Sequence, residues 1–151
     1  MATTTSAVRP TTVGLHERGL ASPERQAFTL LRVGFTVAPI LFGIDKFLGW
    51  LTDWEAYLAP EINDLVPGNA HQVMLVVGVI EIVAGLVVAV RPRFGGYLVA
   101  AWLGGIIVDL LLLGDVYDVA LRDFGLMIGA LALARLAAAF DHDAAVRRSE
   151  A

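Results

Sequence analysis

The stretch Val73–Val90, VMLVVGVIEIVAGLVVAV, decides the fold. It is apolar on every face of a helix, and Glu81 is its single charged residue. A helix of a water-soluble bundle keeps a polar face at helical spacing. This segment has none, and it is close to the roughly 20 residues that an α-helix needs to cross a bilayer. Three further stretches share the character, so that spans are expected over about 27–47, 71–90, 95–114 and 119–140. The expected fold class is all-α: a bundle of four transmembrane helices with a short interfacial helix in the first outer loop.

Composition agrees. The chain of 151 residues is 57% hydrophobic and 17% charged, against roughly 45–50% and 25% in soluble domains. Its formal net charge of −4 argues against nucleic acid, which selects a basic surface. Cysteine is absent, which excludes disulfides, thiolate catalysis and Cys-ligated metal or iron–sulfur centres. The first 25 residues lack an apolar core, so the first span is expected to act as its own insertion signal.

The chain divides into residues 1–21, rich in Thr, Ser, Gly and Arg and expected to be disordered, a membrane domain over 22–140, and a polar tail over 141–151. Ser22-Pro23-Glu24 reads as a helix start, with Ser22 as cap and Pro23 in the first turn. Pro39 lies inside the first helix and should kink it by freeing the Phe35 carbonyl. In the loop 51–70, Thr52-Asp53-Trp54-Glu55 fits a capping box for a surface helix that Pro60 ends. Trp50, Trp54 and Tyr57 share a face of that helix and are expected to anchor it at headgroup depth. Asn69 is placed to cap the second span, and Arg91-Pro92-Arg93 makes a tight turn into the third.

Orientation follows from the basic residues. Arg9, Arg18, Arg25, Arg32, Arg91, Arg93, Arg135, Arg147 and Arg148 fall on one side of this topology, and only Lys46 and Arg122 on the other. Both termini are therefore expected in the cytoplasm, with the chain in a bacterial cytoplasmic membrane.

Charges within the spans are the candidate site, because burying a charge in lipid is costly and marks function by default. These are Asp45, Lys46, Glu81, Asp109, Arg122 and Asp123. Counted at 1.5 Å per residue, Asp109 lies roughly 8 Å from the outer end of its helix, and all six belong to the outer half. The expected pairings are Lys46 with Asp109 or Glu81, and Arg122 with Asp45 or Asp109. Their structural reading is helix-end snorkelling, or register-holding hydrogen bonds between helices. Small residues set the packing faces: Gly78 and Gly85 beside Glu81, Ala101 and Gly105 beside Asp109, and Gly125 with Gly129 as a GxxxG. Trp102, midway along its span, reads as packing. His16, His71 and His142 are too scattered for a bis-His haem, and no His/Glu pair has metal spacing.

The stretch Leu31-Arg32-Val33-Gly34 leading into Phe42-Gly43-Ile44-Asp45-Lys46-Phe47 resembles the first span of DoxX-like membrane proteins. Four spans, a long first outer loop and a Gly-rich second helix carrying Glu are also similar, over roughly residues 26–140. Asp45 departs from the polar neutral residue that the pattern leads one to expect there. The resemblance implies a redox or quinone-associated role, and the lack of cysteine weighs against direct sulfur chemistry. Three functions compete. The first is an accessory subunit of a larger, respiratory or redox membrane complex, not catalytic on its own. The second is a subunit binding quinone or another small ligand through the polar cluster. The third is a transporter or channel, which four helices allow only as a homo-oligomer. Expected partners are the lipid bilayer and other membrane subunits.

Overall fold

A computed structural model describes residues 22–149. The expectation for residues 1–21 lies outside them, as do the last two residues of the tail. Five α-helices follow one another: α1 Pro23–Leu48, α2 Pro60–Leu65, α3 Ala70–Val90, α4 Pro92–Leu113 and α5 Tyr117–Ser149. A 3₁₀ turn, Trp54–Tyr57, precedes α2, and no strand occurs among the described residues. Helices α1, α3, α4 and α5 are each long and apolar enough to cross a membrane. Their flanks are covered with exposed Leu, Val, Ile and Phe side chains, as in Leu30, Leu41, Val76, Leu86, Leu121 and Ile128. Such a surface suits lipid.

The helix ends obey local rules. The Ser22 hydroxyl accepts from the Arg25 amide with Pro23 at the first position. Asn69 and Gln72 form a reciprocal capping box on α3. Gly49 and Gly114 close α1 and α4 in the left-handed conformation that glycine adopts without steric cost. α1 runs unbroken through Pro39. α5 continues past the expected end at residue 140 as far as Ser149, so residues 141–149 prolong the last helix rather than leave it.

Two interfaces dominate, α1 with α3 and α4 with α5. Both are made by glycine. A β-carbon on Gly43 would stand 2.5 Å from the Gly78 carbonyl oxygen, and one on Gly85 would stand 2.7 Å from the Thr36 carbonyl oxygen. On α4, Gly96 lies against the backbone of Ala130 and Ala134 in α5, and Gly95 against Val88 in α3. The core between them is Ala84, Val88, Val99, Ala100, Ala130 and Leu133, with Phe28, Leu31 and Phe35 packed on it from α1. The Arg32 guanidinium donates to the Ala89 carbonyl and so ties α1 to the last turn of α3, where carbonyls lack helical partners.

The small-residue face expected on α4 is corrected. Ala101 and Gly105 are exposed, with nothing within 4 Å of a β-carbon on Gly105. The buried face carries Gly95, Gly96, Val99 and Ala100 instead. In the GxxxG of α5, Gly129 packs on the Phe35 ring, while Gly125 faces open space.

Candidate functional site

The close approach of α1 to α3 sets the site. A β-carbon on Gly78 would stand 3.0 Å from the Phe47 ring and 3.1 Å from the Lys46 β-carbon, so Lys46 leaves α1 directly against α3. Its ammonium reaches Glu81, 2.7 Å from Oε2, and both side chains are buried, 4% and 11% exposed. The Trp54 ring covers the same ammonium, with Lys46 Nζ 3.8 Å from the ring centroid. A desolvated cation over an indole face gains from the ring quadrupole. The ion pair is thus roofed by an aromatic ring from the loop that follows α1.

Asp45 holds that roof in place. Its carboxylate accepts from the Trp54 indole N–H at 2.7 Å and from the backbone amides of Trp50 and Leu51 at 3.1 and 3.2 Å. The residue is 5% exposed. Trp54 packs edge-on against Phe42 and tilted against Tyr57. Asp109 plays a parallel part on α4, accepting from the Ala59 amide at 2.9 Å. Ala59 is fully buried. The loop between α1 and α3 is therefore strapped down by two carboxylates of the apolar helices, one on α1 and one on α4.

Asp123, half-buried on α5, lies in electrostatic range of both Lys46 and Glu81. Among the described residues it makes no hydrogen bond or ion pair. Lys46 and the neighbouring Arg122 both act on Asp123 through space, while Glu81 takes the Lys46 ammonium directly. The indole N–H of Trp102 is buried without an acceptor. Gly95 packs against Val88 across antiparallel helices, and the same count along each helix brings Trp102 level with Glu81.

The structure decides between the expected pairings. Lys46 pairs with Glu81 and not Asp109. Arg122 pairs with neither Asp45 nor Asp109: it points outward, 3.8 Å from Asp118 one turn earlier, and both side chains are largely exposed. The arginine sits beside Asp123 in sequence, on a different face of α5. The Thr52–Glu55 capping box does not form either. Asp53 caps the 3₁₀ turn by accepting from the Glu55 amide, and the Glu55 carboxylate meets His71 Nδ1 at 2.9 Å. Pro60, expected to end a surface helix, begins α2. Of the three aromatic anchors, Trp50 is 80% exposed, Tyr57 is half-buried, and Trp54 is turned inward to the cluster.

Ala59 is the site residue that sequence reading passes over, because it acts through its backbone amide and no side chain announces it. Among the described residues no group of His, Cys, Asp and Glu is arranged to hold a metal ion. The fold and the site define a small multi-pass helical membrane protein with a buried, loop-covered ion pair. No family model, curated protein or solved structure matches the chain.

Proposed function

We propose that the protein is a DoxX-like accessory subunit of a larger, respiratory or redox membrane complex, seated in a bacterial cytoplasmic membrane with both termini in the cytoplasm. The observation that carries this reading is the self-sufficiency of the cluster. Asp45, Glu81 and Asp109 each take donors from this chain, and the outer loop is strapped across them. Such carboxylates hold helices and loop in register and leave few groups for a substrate. The exposed small residues Ala101 and Gly105 on α4 and Gly125 on α5 support the same reading, since small residues allow another helix to approach closely in lipid. The nine basic residues on the side of the termini support the orientation.

Extraction from native membranes in a mild detergent, followed by native mass spectrometry, tests the proposal. The expected particle is well above the 16.1 kDa chain and contains other subunits. Glu81→Gln should lower its yield more than the turnover of what assembles. A monomer free of other chains sinks the accessory role.

A second reading has one observation in its favour. Asp123 lies in electrostatic range of the Lys46–Glu81 pair with no hydrogen bond among the described residues, and the Trp102 indole N–H is buried without an acceptor. A quinone carbonyl or comparable small acceptor, with a proton exchanged at the carboxylates, suits that arrangement. Quinone extracted from the purified protein and lost in Asp123→Asn would favour it. Equal, trace quinone in both would remove it.

A further inference from the structure

At the end of the bundle where α3 turns into α4, two clefts share Val90 and Arg91. One, of about 420 Å³, is lined by Arg91, Arg93, Phe94, Tyr97 and Asp141. The other, of about 310 Å³, is a shallow groove along α3 between Val83, Leu86, Val87 and Val90. The first lies at the helix ends and carries charged groups on a largely apolar floor. The second is apolar and descends along the span.

We propose that the two clefts form one binding site for an anionic phospholipid with a hydroxyl-bearing headgroup. The phosphate lies on Arg91 and Arg93, a headgroup hydroxyl donates to Asp141, and one acyl chain follows the Val83–Val87 groove. Three observations converge on this occupant. Neither guanidinium makes an ion pair or a side-chain hydrogen bond among the described residues, so two cations stand free beside one carboxylate. Guanidinium groups match phosphate oxygens in charge and fork geometry. The apolar cleft continues from the charged one on the flank of a membrane-length helix whose side chains there are exposed: Val83 is 50% and Val90 76% accessible. A free phosphate would leave that groove empty, while a lipid fills both halves. The boundary position fits as well, since basic residues at helix ends attract anionic lipid on the cytoplasmic side. The charged cleft is at the far end of α3 from the ion pair, while the groove descends to Val83, two residues past Glu81; the site rests on the orientation proposed above and not on the accessory role.

The full chain, reconstituted in nanodiscs of phosphatidylcholine and phosphatidylglycerol at 3:1 and released for native mass spectrometry, tests the site. The wild-type chain should retain phosphatidylglycerol in preference to phosphatidylcholine. Arg91→Gln with Arg93→Gln should weaken that retention about fivefold per charge removed, on the scale of one basic residue at an anionic surface. Val87→Trp, which fills the groove and keeps both charges, should weaken it too. The charge-matched control Arg135→Gln with Arg148→Gln should leave it unchanged. Circular dichroism and thermal melts verify that each variant is folded. Equal retention of the two lipids by the wild type, undiminished retention in the arginine variant, or an equal loss in the control overturns the proposal. Release of the bound lipid by millimolar inorganic phosphate also overturns it, because the site would then be one for free phosphate.

Discussion

Gly43 on α1 lies so close to Gly78 on α3 that a β-carbon on either residue would fall within 2.8 Å of the other's carbonyl oxygen. This contact precedes the chemistry in the causal order. It brings the helix backbones together one turn below Lys46, and the lysine can then reach Glu81 on the neighbouring helix.

Gly78→Ala should therefore push α1 away from α3, because the new methyl meets backbone and the Phe47 ring rather than a flexible chain end. Overpacking of this kind costs about 1–3 kcal/mol. A thermal melt in detergent should fall accordingly. Gly105→Ala, where nothing lies within 4 Å, should melt like the wild type.

Removing one partner of the buried pair should be worse than removing both. Lys46→Met leaves Glu81 without its cation at the centre of the bundle, and stranding a buried charge costs roughly 3–5 kcal/mol. The double variant Lys46→Met with Glu81→Leu should recover a large part of that. A double-mutant cycle on unfolding free energy measures the coupling. Additive single effects would show that the two groups do not act as a pair.

Asp45→Ala strips the acceptor from the Trp54 indole and from the Trp50 and Leu51 amides. Hydrogen exchange at the Leu51 amide should accelerate by about tenfold, the order expected for one lost hydrogen bond. The same change should uncover Lys46 to an amine-reactive probe that the wild-type Trp54 ring shields. Unchanged labelling would mean that the ring stays seated without Asp45.

The Arg122–Asp118 pair is long, exposed and within one helix. Arg122→Gln should shift stability by no more than about 0.5 kcal/mol. It should also leave Lys46 labelling as it is, since the arginine is turned away from the cluster.

The spans were legible because bilayer thickness acts on each helix alone: length and apolarity suffice to place it. Glu81 and Lys46 were legible for a related reason, as a lone charge in an apolar run stands out without any knowledge of neighbours. The inner face of α4 was not. In a soluble bundle the polar side reveals which face is buried, but α4 is apolar towards both lipid and protein, so Ala101–Gly105 and Gly95–Gly96 looked equivalent. The same ambiguity misassigned the azimuth of Arg122, which faces Asp118 on the exposed side of α5. Trp54 was read from the local helical pattern of a surface segment. Its actual position is fixed by Asp45, a partner outside that segment, and by a cation on the next residue of α1. The Arg91–Arg93 turn marked topology in the sequence, and only the packing of α3, α4 and α5 places Asp141 beside it.

The strap between Ala59 and Asp109 has a consequence for biogenesis. The Ala59 amide leaves the ribosome fifty residues before its acceptor, which belongs to the third span. After the first two spans have entered the membrane, Asp45 can already gather Trp50, Leu51 and Trp54, but the far half of the loop has nothing to fasten to. The face of the molecule that carries this loop is completed only when α4 arrives. A chain truncated before Asp109 would thus present this loop open, which a quality-control protease could recognise as an unfinished product.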